Sequence, residues 1–192
     1  MKILLLLLAA AAVLPAAEEY TYWVEPCTGQ TAQLSGCEPG DPELAKWALE
    51  AWQRESGGAI VFRKVTNEAA ARIRVHWANG TSSLYGETEP MMFEGKRGAI
   101  VNVLPNVVQD KRDPLLRDAI VYLTCLHESG HALGLAHTRA FADIMYSFQY
   151  GGDITGYFGR YRGLLKTRAD IAAHAGVSDA DRAALRVALR AQ

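Results

Sequence analysis

The chain has 192 residues, 49% of them hydrophobic, and a formal net charge of −1. That is enough apolar content for a domain with a sizeable core. The balance leaves no basic excess to draw in nucleic acid or to tether the chain to an anionic membrane.

Lys2, the apolar run Ile3 to Leu8, an alanine-rich stretch to Val13 and then Pro15-Ala16-Ala17 form a short positive region, an apolar core and small residues. That pattern predicts an export leader over residues 1–17, cut after Ala17, ahead of one domain over 18–192. Its apolar core of about eleven residues is too short to span a bilayer, so no stable membrane insertion is expected once the leader is removed. The mature protein is expected to be secreted, either extracellular or periplasmic. In an oxidising compartment Cys27 and Cys37 can pair and pin the loop between them, contributing about 2–3 kcal/mol. Cys125 reads as a buried free thiol.

Tyr20 to Val24 alternates aromatic and β-branched residues, as a strand does. Asp41-Pro42 supplies an N-cap and a first-turn proline for a helix whose Leu44, Ala48, Ala51 and Trp52 form one stripe, stopped by Ser56-Gly57-Gly58. Residues 59–65 and 71–77 read as strands, the second alternating Ile73, Val75 and Trp77 with charged neighbours. Residues 79–96 are glycine-rich and polar, with Leu84-Tyr85 and Met91-Met92-Phe93 as local anchors. Residues 99–104 form another strand, closed by Pro105. Asp113-Pro114 repeats the helix start, predicting a helix over about 114–133. The basic residues Arg160, Arg162, Lys166 and Arg168 read as a solvated strip. Ser178 with Asp181 resembles a capping box opening a last helix over 180–190.

The chemistry is concentrated in residues 127–137, His-Glu-Ser-Gly-His-Ala-Leu-Gly-Leu-Ala-His. His127 and His131, four apart, project from one face of a helix and can reach a single zinc ion. Glu128 stands beside them as a general base. Gly134 can end the helix in the left-handed conformation, so that the chain turns back and His137 becomes a third ligand. Three protein ligands leave a fourth position open, which marks a catalytic site. In shuffled chains of this composition the five-position pattern would occur in about two per hundred thousand.

These residues resemble the metzincin zinc peptidases. Asp143-Ile144-Met145-Tyr146 is similar to the Met-turn of that group, with Met145 as an apolar floor beneath the metal, and its spacing from His137 looks like the matrixin branch. The resemblance implies an α+β, zincin-like fold: a mixed, twisted β-sheet, a long metal-binding helix, the Met-turn and a C-terminal helix. It also implies an edge strand from the 84–104 region along which an extended substrate lies. Tyr146 to Tyr150 would wall an apolar pocket for the residue after the cut. Thr138 stands where matrixins carry serine, and Ser147 where astacin-like enzymes carry a tyrosine ligand.

The pattern also departs from the family. Animal matrixins carry a structural zinc and calcium sites, but only His76 and His174 remain here, read as a sheet-face and a surface histidine. Asp153 among Gly151, Gly152 and Gly156 has oxygen chemistry that suits calcium, yet the run lacks EF-hand spacing and calcium stays unsupported. Matrixins are usually restrained by a propeptide cysteine. The segment Ser35 to Asp41 echoes one faintly, but a Cys27–Cys37 disulfide is the preferred reading, and a separate protein inhibitor would then have to restrain the enzyme. The expected function is a secreted zinc-dependent endopeptidase with one catalytic Zn²⁺, water activated by zinc, Glu128 as general base, and proteins or peptides as substrates. Its rivals are an exported, non-proteolytic zinc module that binds a protein partner through the same cleft, and a domain that zinc merely stabilises. Glu128 argues against the first. The second would need a fourth protein ligand, for which Cys125 and His76 are poor candidates.

Overall fold

The computed structural model describes residues 16–79, 85–107 and 112–191. The leader expected over 1–17 lies, apart from its last two positions, outside the described residues, and so does Leu84. In chain order the elements are β1 (Glu18–Val24), α1 (Gly29–Ser35), α2 (Asp41–Glu55), β2 (Ile60–Lys64), β3 (Ile73–Trp77), β4 (Gly86–Phe93) and β5 (Lys96–Val103). They are followed by α3 (Pro114–Ala132), α4 (Ile154–Arg162), α5 (Asp170–Ala173) and α6 (Asp179–Arg190).

The strands form one five-stranded sheet in the order β2-β1-β3-β5-β4. All neighbours are parallel except β4, which runs antiparallel to β5 and forms an edge. Side chains alternate across a strand, so Tyr20, Tyr22 and Val24 of β1, Ile73, Val75 and Trp77 of β3, and Ala99, Val101 and Val103 of β5 are buried together. Helices α2 and α3 pack on the sheet and on each other. The indole N–H of Trp52 on α2 donates to the Leu126 carbonyl of α3 at 2.9 Å, one residue before His127. The architecture is α+β with a mixed sheet, as expected.

Several local expectations need correction. The Cys27–Cys37 loop carries α1, closed by Gly36 at φ 69°. Asp41 is the first residue of α2 rather than its N-cap, which is Gly40. Its carboxylate is used elsewhere: Arg117 of α3 grips both oxygens, and the Glu38 N–H donates to Oδ2 at 2.8 Å. Asp113, by contrast, does cap α3, accepting from the Leu116 N–H at 3.1 Å. Ser178 and Asp181 form the full capping box of α6. The polar stretch 79–96 contains β4 and the start of β5. Its pattern hides an edge strand, where one side needs no partner and Pro90 is tolerated for lack of an N–H.

The basic cluster is a solvated strip only in part: Arg160 and Lys166 are exposed, while Arg162 and Arg168 are engaged in ion pairs. Arg162 pairs with Asp113 at 2.9 Å, and Arg168 with Asp118 at 3.1 Å and Glu43 at 2.5 Å. The acidic N-terminal ends of α2 and α3 lie opposite these arginines and strap α4 and the segment after it to the domain. Half-exposed pairs of this kind stabilise little individually, about 0–1 kcal/mol.

Candidate metal centre

Helix α3 is apolar along its inward face, with Ile120, Leu123 and Leu126 buried, until His127 begins the polar segment. It ends where expected. Gly134 has φ 97°, a conformation that a Cβ would penalise. The Gly134 N–H donates to the His131 carbonyl at 2.9 Å, and the Leu135 N–H reaches back to the Gly130 carbonyl at 3.0 Å, the paired bonds of a glycine C-cap. The cap also aims a group at the site: the Leu135 carbonyl receives His131 Nδ1 at 2.8 Å.

His127 is held in the same way, its Nδ1 lying 2.6 Å from the Ile144 carbonyl. A carbonyl only accepts, so both Nδ1 atoms carry the proton and both Nε2 atoms present a lone pair. His137 Nε2 lies 3.2 Å from His127 Nε2 and 3.0 Å from His131 Nε2. Tetrahedral zinc with bonds of about 2.0–2.1 Å separates its nitrogens by about 3.3 Å. The spacing, tautomers and donor type therefore fit that ion. Burial holds all three imidazoles below their usual pKa, His127 down to about 4, so they stand neutral and available as ligands. Among the described residues these three are the group of His, Cys, Asp and Glu able to hold a metal.

The turn beneath is fixed from three directions. The Thr138 N–H donates to the Met145 carbonyl at 2.8 Å, tying the segment after His137 to the turn. Met145 is fully buried against α3, and Gly130 makes room for it: a Cβ there would lie 2.5 Å from Met145 Sδ. Asp181 of α6, wholly buried, accepts from the N–H groups of Ile144 at 2.8 Å and Met145 at 3.3 Å. The Ser178 hydroxyl donates to Asp143 at 2.8 Å. Sequence reasoning found Asp181 as a capping residue and missed its second duty, which no local pattern signals.

Glu128 is 6% exposed and opens on a cleft of about 580 Å³. Burial raises its carboxyl to about 7, against the opposing Thr88 hydroxyl bond and with help from the negative Glu87. Tyr85, Phe148, Tyr157 and Phe158 form an aromatic cluster in the wall of the cleft, whose lining also includes Pro90 and Arg97. Of the expected pocket wall, Tyr146, Ser147, Phe148 and Gln149 line the cleft, and α4 adds Tyr157 and Phe158.

The family model for matrixin matches residues 21–154, well over half of the chain. The chain belongs to the matrixin family. Matrixins are zinc metallopeptidases, so membership supports a metallopeptidase hydrolase acting on proteins or peptides. No curated protein matches the chain. Helix α6, which clamps the turn of this matrixin, lies beyond the matched segment, and α4 lies almost wholly beyond it.

The remaining candidates fall as follows. Cys27 and Cys37 form a disulfide with a Cα separation of 5.9 Å, so Cys37 is not free to occupy the cleft. Cys125 is a buried free thiol, pushed upward in pKa by burial, and stands outside the histidine group. His76 sits on β3 between Glu25 at 3.7 Å and Glu68 at 3.3 Å, and His174 is exposed. Asp153 occupies the N-cap position of α4. No helix among the described residues is long and apolar enough to cross a membrane.

Proposed function

We propose that this matrixin is an exported zinc endopeptidase, with residues 1–17 as its leader and 18–192 as one catalytic domain. The observation that carries the reading is the convergence of three neutral imidazole Nε2 atoms beside a buried carboxylate in an open cleft. His127, His131 and His137 would hold the ion. Zinc held there supplies Lewis acidity, which polarises a carbonyl and makes nearby water a stronger acid.

Glu128 acts as general base and then general acid. It takes a proton from the attacking water and returns it to the departing amine nitrogen as the C–N bond breaks. Burial alone, without the charge of a bound ion, holds this carboxyl above its ordinary range, which supports a part in both directions of transfer. Substrate lies extended along the free edge of β4, where main-chain hydrogen bonds bind it regardless of sequence. The aromatic wall of the cleft takes an apolar side chain after the cut. Cys37, engaged in a disulfide, offers no thiol to restrain the site, which supports a separate inhibitor protein as the restraint.

The test is Glu128→Ala with metal analysis. The variant is expected to bind about one zinc per chain while losing cleavage of an unfolded protein substrate. Cleavage at the wild-type rate would overturn the mechanism.

A further inference from the structure

The geometry points to Thr88, on the sheet's edge strand, as the residue that positions the Glu128 carboxylate for proton transfer. This rests on the peptidase reading above and adds a part to it. Thr88 lies opposite Val101 in the β4–β5 register, so its side chain faces α3 with the buried side chains of β5. Its hydroxyl is 2.7 Å from Glu128 Oε2 and 2.9 Å from the main-chain oxygen of the same residue. A hydroxyl has one proton to give, here shared between two oxygens of one residue.

The consequence is a fixed carboxylate. Oε2 is anchored by the Thr88 hydroxyl, and Oε1, which has no such anchor from Thr88, is the oxygen we assign to proton exchange with the cleft. The bond survives both halves of the cycle. Oε2 accepts from Thr88 while Glu128 is ionised, and still accepts as the carbonyl oxygen once Oε1 has gained a proton. The carboxyl group is thereby kept from swinging between rotamers as its charge changes.

A second contact on the same strand supports the role. Gly86, two residues earlier and on the same face, approaches Glu128 so closely that a Cβ would lie 2.8 Å from its Cγ and 2.9 Å from Thr124 Cγ2. Strand β4 therefore leaves no room for a side chain beside the stem of Glu128 at Gly86 and holds its head at Thr88.

The experiment compares Thr88→Val, which keeps the shape and loses the hydroxyl, with Thr88→Ser, which keeps the hydroxyl. Steady-state kinetics on a fluorogenic peptide are measured with zinc content and melting temperature for each protein. Thr88→Val is expected to lower kcat by about tenfold or more with KM little changed and zinc retained, and Thr88→Ser to restore kcat to within about threefold of wild type. Unchanged kcat in Thr88→Val would overturn the inference and leave the peptidase reading standing. Equal losses in both variants, or a loss that tracks zinc content, would assign Thr88 to packing and also overturn it. A wild-type protein that binds zinc and cuts nothing would overturn the peptidase reading, and this inference with it.

Discussion

The cleft has two unlike walls. On the helical side, each of two candidate ligands has its outer nitrogen on a main-chain carbonyl, and the turn below them is gripped by α6 and packed on Gly130. On the strand side, β4 has one open edge, half-exposed residues such as Met91 and Phe93, and Met92 at 70% exposure. The contrast separates two tasks. A metal centre needs atoms fixed to within a few tenths of an ångström, whereas a general peptide-binding edge needs free N–H and C=O groups.

If the division holds, substitutions on the two walls should differ sharply. The largest effect is expected from His131→Ala, which removes one of three nitrogen donors: zinc content by metal analysis should fall to a small fraction, and cleavage should vanish with it. A chelator should do the same to the wild type reversibly, with activity returning on addition of zinc. Asp181→Ala comes next. It strips two turn N–H groups and the α6 cap of their acceptor, and should cost about 3 kcal/mol in denaturant unfolding and weaken zinc binding. Gly130→Ala forces a methyl onto Met145 and should cost about 1–3 kcal/mol. The smallest effect belongs to the strand wall. Met92→Ala should change stability by no more than about 0.5 kcal/mol, and a larger loss would show that β4 is as tightly built as α3.

The same contrast explains what could be read from the residues alone. The helical wall is written in short-range spacing. His127, His131, Gly134 and His137 interact through the geometry of one helix and its cap, so their pattern was legible without a fold. Asp113, Ser178 and the inward stripe of α2 were legible for the same reason. Strand β4 was legible only through the resemblance, which placed an edge strand in the 84–104 region, because Glu87, Thr88, Glu89 and Pro90 show no apolar alternation and an edge strand needs none. Helix α4 was hidden by Gly156 and Gly159, and the ion pairs of Arg162 and Arg168 were not legible because their acidic partners Asp113 and Asp118 lie about fifty residues away in sequence. Thr88 and Asp181 matter through contacts 40 and 37 residues distant, which no local periodicity reports.

The clamp on the turn also links the histidines to the far end of the chain. His127 leans on Ile144, and Ile144 is secured by Asp181. During synthesis the histidines emerge first, while the carboxylate that steadies their support follows some fifty residues later. The support beneath His127 is therefore incomplete until the last helix docks.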